Sequence, residues 1–142
     1  MKKIVVPIDG SEHSKMAIEK AKELATAFGS SVVLLHVNEF TRYSASLATG
    51  AAILERDRKL FDEKSESLVE EAKKAFDGTG ISVEAVVLKG SAADKIVEYL
   101  DANDCDLVVM GSHGMSGLRR FMIGSITHKV MVQINNPLLI VR

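Results

Sequence analysis

Short apolar stretches alternate with amphipathic stretches along the whole chain. The apolar stretches are short and rich in β-branched residues, and most lack strict polar alternation, which is typical of strands covered on both faces. Strands that alternate with helices predict an α/β fold in which helices cover both faces of a parallel sheet through right-handed crossovers. The predicted strands are residues 3–8, 31–37, 81–89, 107–110 and 138–141.

Four helices are predicted between these strands. The first begins at Ser11 or Ser14 and ends at Phe28, because its apolar residues form one stripe and Gly29 suits a helix C-terminus. The second covers 53–76, with a charged outer face. The third follows Ser91, which forms a predicted capping box with Asp94, and the fourth follows Ser125. Residues 38–52 lack clean periodicity, so we expect a long loop or a partly helical lid.

Composition limits the class of protein. The 142 residues fit one domain, residues 1–142, with a sizeable core. The net charge of −1 gives no basic surplus for nucleic acid or an anionic membrane surface. The apolar runs are far too short to span a bilayer, and no signal-peptide core follows Met1. Cys105 is the only cysteine, so we expect no internal disulfide, a buried thiol and a cytoplasmic location.

The segment from Val108 to Thr127 carries the strongest functional pattern. An apolar strand runs into a glycine-rich loop, and a second Gly-Ser pair opens the last helix. Glycine allows backbone N–H groups to approach an anion, and a helix N-terminus directs its own N–H groups and dipole toward negative charge. The pattern predicts a phosphate-binding loop at the carboxyl edge of the sheet, where Asp9 and Val37 also follow strands.

Other phosphate-binding motifs do not occur in the sequence. There is no GxxxxGK[ST] pattern, so the sequence does not predict a P-loop NTPase. The turn after the first strand, Asp9-Gly10-Ser11-Glu12, is too poor in glycine for a GxGxxG dinucleotide fingerprint.

The spacing Gly111-x2-Gly114-x9-Gly124-Ser125 resembles the nucleotide signature of the ATP-binding branch of the universal stress protein family. The resemblance covers the whole chain, including residues 5–11, 35–37 and 106–114 and the final strand. It implies a five-stranded parallel sheet of order 3-2-1-4-5. It also implies an adenine nucleotide, ATP or else ADP or AMP, with any Mg²⁺ held mainly by phosphates and water.

The resemblance also implies which positions would contact the nucleotide. Pro7 and Asp9 correspond to residues beside the adenine and ribose, and the backbone of Val37 to the position that recognises the adenine edge. The remaining implied positions form the ribose and phosphate loop and the first turn of the last helix: Gly111, Ser112, His113, Gly114, Met115, Ser116, Gly117, Gly124, Ser125, Ile126 and Thr127.

Simpler roles remain open for several of these residues. The glycines could make only a tight surface loop, and Asp9 could cap the first helix instead of, or as well as, facing a ribose hydroxyl. His113 could donate to a phosphate or pack under the loop, and no acid partner for catalysis is evident. We expect His13, His36 and His128 to be structural or solvated, since their spacing fits no metal site. The direction of Arg119 and Arg120 is open.

The leading hypothesis is a nucleotide-dependent sensor or regulator of the stress response. Nucleotide would order residues 112–123 and 39–52 and so alter the surface offered to a partner. A slow ATPase or autophosphorylating phosphotransferase is the enzymatic alternative, and a protein-binding module with a vestigial pocket is the third. The resemblance further implies a homodimer formed by antiparallel pairing of strand 138–141; a monomer is the alternative.

Overall fold

The computed structural model describes residues 1–46, 50–114 and 122–142, excluding the side chains of 51–53. Its sheet has five strands, all parallel, in the order β3-β2-β1-β4-β5, as predicted. The strands are β1 (Lys3–Pro7), β2 (Ser31–Asn38), β3 (Val83–Lys89), β4 (Leu107–Gly111) and β5 (Leu138–Val141).

The helices also follow the predicted order, with one addition. Residues 40–45 form a short helix inside the segment that we expected to be a loop or partly helical lid. The boundaries of the other helices lie within about two residues of prediction, the usual precision for helix ends. The helices are α1 (Glu12–Phe28), α2 (Phe40–Ala45), α3 (Ala51–Lys74), α4 (Ala92–Ala102) and α5 (Ser125–Gln133).

Gly29 ends α1 as predicted, and the N-cap residue is Ser11. The Ser11 hydroxyl accepts a hydrogen bond from the Ser14 backbone N–H at 3.2 Å. Gly29 adopts the left-handed conformation at φ 67°, where its N–H donates to the Ala25 carbonyl. A residue without a Cβ suits that conformation, and the helix ends there.

The predicted capping box at the start of α4 is wrong. Ser91 is the N-cap residue, but its side chain makes no cap hydrogen bond. The Ala92 N–H instead donates to Glu39 Oε1 at 3.0 Å. Glu39 can reach Ala92 because β2 and β3 run side by side and Asn38 pairs with Lys89. A carboxylate that follows β2 therefore caps the helix that follows β3.

The core has two halves, one on each face of the sheet. Successive β1 residues point to opposite faces: Ile4 and Val6 pack with α1 and α3, whereas Val5 packs with α4 and α5. All three are 0% exposed, which explains the continuous apolar run in the sequence. No helix within the described ranges has the length and apolar character needed to cross a membrane.

Two smaller expectations concern Cys105 and the charged helix. Cys105 is only partly buried, so the expectation of a fully buried thiol is wrong, although burial does raise its pKa. Its thiol donates to the Leu107 carbonyl at 3.2 Å. The outer face of α3 is solvated as predicted and carries exposed ion pairs such as Lys74–Glu71.

The sheet order places a crevice above two central strands. From β1 the chain proceeds to β2 and β3 on one side, whereas β4 and β5 lie on the other. The connections after β1 and β4 therefore diverge, and their carboxyl ends leave a space between them. In open parallel sheets this reversal is where ligands bind.

Candidate functional site

A cavity of about 520 Å³ opens at this crevice. Its walls come from the ends of β1, β2 and β4, from α3, and from the first turns of α4 and α5. The structure brings together most of the residues that the sequence singled out. Those that line the cavity are Pro7, Asp9, Val37, Gly111, His113, Gly114, Gly124, Ser125, Ile126 and Thr127.

Four predicted positions stand apart from this group. Ser112 is 3% exposed and does not line the cavity. Met115, Ser116 and Gly117 lie outside the described residues, as do Arg119 and Arg120.

Two glycines make close backbone approaches at the cavity wall. A Cβ placed on Gly114 would lie 2.6 Å from Asp9 Oδ2. A Cβ on Gly124 would lie 3.3 Å from both the His113 Cα and the Ser112 carbonyl oxygen. Side chains at these positions would crowd the wall, so glycine allows the segments that form it to pack closely. We call the backbone from Gly111 to Gly114 together with Gly124 the glycine cradle.

The N-terminus of α5 faces the same cavity. Gly124 is its N-cap residue, and no side chain caps the helix within the described structure. The first intrahelical bond runs from the His128 N–H to the Gly124 carbonyl at 2.9 Å. The N–H groups of Ser125, Ile126 and Thr127 precede that bond, so they and the positive end of the dipole are directed toward the cavity.

Buried polar contacts hold the cradle in place. The Ser112 N–H donates to the Val141 carbonyl at 2.8 Å, and the Gly124 N–H donates to the Ser112 carbonyl at 2.7 Å. The Thr127 hydroxyl, on a residue that is 4% exposed, donates to the Gly111 carbonyl at 2.9 Å. These bonds tie α5 to the end of β4. Ser112 therefore holds the cradle in place through these hydrogen bonds and does not line the cavity.

Asp9 follows β1 and lies beside the glycine cradle. Its Oδ1 accepts a hydrogen bond from the Ser11 N–H at 2.9 Å, and its own N–H donates to the Ser14 hydroxyl at 3.2 Å. The N-cap residue of α1 is Ser11, so Asp9 orients the turn before the helix and is not the cap itself. The second carboxylate oxygen lies beside Gly114, where an acceptor could meet a ligand hydroxyl.

The histidines have different surroundings. His36 Nδ1 lies 3.0 Å from the Ile8 carbonyl and its Nε2 lies 3.0 Å from the Ser65 hydroxyl. A carbonyl only accepts, so Nδ1 carries the proton and the ring joins β1, β2 and α3. This contact pattern fits the expected structural role. The His13 ring lies 5.0 Å from the His113 ring, and His113 Nδ1 is 2.8 Å from the Ser112 hydroxyl.

The α3 wall of the cavity was not predicted from the sequence. Phe61 and Leu68 contribute apolar surface, and Lys64 contributes a cation. Their spacing of three and four residues places them on one face of the helix. That spacing could have predicted that they share a surface, but not that this surface borders the cavity. Phe61 also packs against Phe40 and Tyr43 of α2, at ring distances of 5.6 and 5.1 Å.

Glu39 and Ala92 were also missed, because they meet across 53 residues of sequence. Both line the cavity on the side of β2. The two ends of the cavity therefore differ: apolar and aromatic groups lie near β2, and the glycine cradle lies near α5. Among the described residues, no group of three or more histidine, cysteine, aspartate or glutamate side chains is placed to hold a metal ion.

The open parallel sheet, with a cavity at its point of reversal and a helix N-terminus in the cavity wall, defines an open α/β protein with a candidate ligand site. The model of the universal stress protein family matches residues 1–142, and the chain belongs to that family.

Individual relatives agree with this assignment. Universal stress protein MJ0531 of Methanocaldococcus jannaschii is 31% identical over 141 residues, covering 99% of this chain and 82% of the relative. The solved structure of MJ0577 from the same organism is 28% identical, with a TM-score of 0.86, and the match covers 99% of this chain and 94% of that chain.

More distant family structures contain nucleotides. The universal stress protein from Archaeoglobus fulgidus in complex with dAMP is 21% identical, with a TM-score of 0.72, and the match covers 100% of this chain and 98% of that chain. Two others, 18% and 23% identical, contain AMP and cAMP respectively. At these identities the likeness shows the shared fold.

Proposed function

We propose that this protein binds ATP in the cavity and acts as a nucleotide-dependent sensor or regulator in the stress response. The observation that carries the proposal is the glycine cradle facing the uncapped N-terminus of α5. Together they offer backbone N–H groups and a helix dipole to an anion. The family structures that contain AMP, dAMP and cAMP support an adenine nucleotide.

The contrast between the two ends of the cavity sets the orientation of the nucleotide. The phosphates would lie against Gly114, Gly124 and the first turn of α5. The ribose hydroxyls would meet the Asp9 carboxylate, and the base would occupy the apolar end near Pro7 and Val37. His113, Met115, Ser116 and Gly117 belong to the proposed phosphate loop. Any Mg²⁺ would be held mainly by the phosphates and water, since Mg²⁺ keeps several waters when bound to nucleotides.

A partner protein that binds α2 would respond to whether the cavity is occupied. Glu39 lines the cavity and directly precedes α2, while Phe61 of the cavity wall packs against Phe40 and Tyr43 of that helix. A ligand that displaces Glu39 or Phe61 would therefore alter the exposed surface of α2. Such a shift requires the nucleotide to bind one arrangement of α2 more tightly than the other.

A cytoplasmic homodimer is part of the proposal. β5 is an edge strand of the sheet, and Leu139 on it is 36% exposed. An apolar edge strand is prone to pair with another strand. Antiparallel pairing of two copies of β5 across a two-fold axis would satisfy both edges.

Isothermal titration with ATP tests the proposal. We expect saturable binding by the unmodified protein and none by Gly114→Val, because the added side chain would collide with Asp9. Gly50→Val is the matched control, since a Cβ at Gly50 has no atom of the described residues within 4 Å. Absence of binding at millimolar ATP, or equal binding by Gly114→Val, would refute the proposal. A parallel assay of phosphate release separates binding from hydrolysis.

A further inference from the structure

We infer that Lys64 binds the phosphate chain of the nucleotide and makes the site favour ligands with more phosphates. The inference rests on the proposed function. Lys64 lies on α3, lines the cavity, and lies outside the pattern that predicted the site. Its role follows from where its helical turn lies and from the charges around it.

The turn of α3 that carries Lys64 lies over the loop after β1. The next residue, Ser65, has its hydroxyl 3.0 Å from His36 Nε2, and His36 contacts the Ile8 carbonyl. One turn further on, the side chain of Leu68 comes within 3.2 Å of a Cβ placed on Gly10. These contacts place Lys64 beside the segment that holds Asp9, and Asp9 Oδ2 would lie only 2.6 Å from a Cβ on Gly114 of the glycine cradle.

The cavity needs a cation if it is to hold several phosphates. The described lining residues include two carboxylates, Asp9 and Glu39, against which Lys64 is the one lysine or arginine. Glu39 is ion-paired with Arg42 at 3.3 Å, whereas the Asp9 carboxylate would repel a polyphosphate. Without Lys64, the groups among the described residues that oppose this repulsion would be the amide partial charges and the α5 dipole.

Lys64 is available for this role. It forms no ion pair with any residue that the structure describes, whereas Lys74 on the same helix pairs with Glu71 at 3.4 Å. The four-carbon stem of a lysine lets its ammonium group follow a phosphate, and charge-assisted hydrogen bonds of this kind are among the stronger ones in proteins. The benefit increases with ligand charge, so ATP should gain more than ADP, AMP or adenosine.

Titrations of ATP, ADP, AMP and adenosine into Lys64→Gln, Lys59→Gln and the unmodified protein test the inference. Lys59 is an exposed lysine of the same helix outside the cavity, so its variant makes the same change in net charge. We expect Lys64→Gln to weaken ATP binding about tenfold and adenosine binding by less than about twofold. Lys59→Gln should match the unmodified protein, and Lys64→Arg should restore ATP affinity. The difference in ATP affinity between the unmodified protein and Lys64→Gln should shrink as salt is added.

The outcomes separate this inference from the proposed function. If the unmodified protein binds ATP but Lys64→Gln and Lys59→Gln weaken it equally, Lys64 is not a phosphate ligand. If Lys64→Gln weakens ATP and adenosine by the same factor, its effect is structural and the inference also fails. If the unmodified protein binds no ATP, the proposed function fails and the inference fails with it.

Discussion

The backbone of Gly111, at the end of β4, touches the backbone of His13 in the first turn of α1. A Cβ on Gly111 would lie 2.7 Å from the His13 carbonyl carbon and 2.8 Å from its carbonyl oxygen. Neither atom belongs to a side chain that could rotate away. The missing side chain therefore allows α1 to pack directly on the end of β4, and this contact helps to set the wall of the cavity.

Gly111→Ala should consequently destabilise the protein. Relief of the collision requires α1 to move away from β4, and such overpacking typically costs about 1–3 kcal/mol. Urea denaturation would measure the free energy of unfolding. Gly50→Ala serves as the control, because a Cβ there meets no atom within 4 Å in the part of the chain that the structure describes. Equal stability of the two variants would show that α1 and β4 are not packed this closely.

Replacement of Glu39 and of Ser91 distinguishes the two possible caps of α4. Glu39→Ala removes the acceptor for the Ala92 N–H, so we expect a loss of about 1 kcal/mol, as for other cap substitutions. Ser91→Ala should change stability by less than about 0.5 kcal/mol, because that side chain makes no cap hydrogen bond. Thermal and urea unfolding would measure both. A larger loss of stability in Ser91→Ala than in Glu39→Ala would support the capping box predicted from the sequence.

The pH dependence of stability should include a contribution from Asp106. The N–H groups of Lys2 and Lys3 both donate to its Oδ2 at 2.8 Å and hold the pKa of this carboxyl below its ordinary value. The folded state therefore binds a proton less readily than the unfolded state. The contribution is present above the ordinary aspartate pKa of about 3.9 and is lost as the pH falls through the lower folded value.

Asp106→Asn should remove this contribution. We expect the unmodified protein to exceed the variant in stability at pH 7, and the difference to shrink as the pH falls below about 4. Urea midpoints measured at several pH values would report it. A difference that stays constant, or that grows toward low pH, would contradict the assigned hydrogen bonds.

Ile140→Pro should dissociate the proposed homodimer and leave the fold intact. The Pro137 and Val141 carbonyls accept hydrogen bonds from β4, at 2.9 and 2.8 Å. Since backbone groups in a strand alternate sides, the Ile140 N–H faces the free edge. A proline there removes only an outward donor, and edge positions tolerate proline. Analytical ultracentrifugation should show a dimer for the unmodified protein and for Ile140→Val, and a monomer for Ile140→Pro. A dimer of Ile140→Pro would exclude pairing through β5.

Local patterns were sufficient for most of the fold. The continuous apolar run at β1 reflects burial on both faces, and Ser11 and Gly29 mark the ends of α1 through contacts with nearby residues. The glycines at 111, 114 and 124, which the sequence pattern singled out, all line the cavity. These features depend on short-range sterics and hydrogen bonds, which a single sequence displays directly.

Contacts between distant residues were beyond such patterns. Ser91 followed by Asp94 has the composition of a capping box, yet Glu39 caps α4 because the register of β2 and β3 brings it there. The helical face that carries Phe61 and Lys64 could be identified from spacing, but not the cavity that it borders. The position of His13 beside His113 depends on how α1 packs on β4.

The sequence by itself determined the alternation of strands and helices, the division into buried and solvated faces, and the glycine-rich loop before α5. Each follows from periodicity or from the absence of a Cβ, which are properties of neighbouring residues. Only the tertiary structure decided which side chains complete the cavity, because Glu39 and Lys64 come from the β2–β3 connection and Ala92 comes from the β3–β4 connection. Their meeting depends on strand order and register, which the packing of the whole domain fixes.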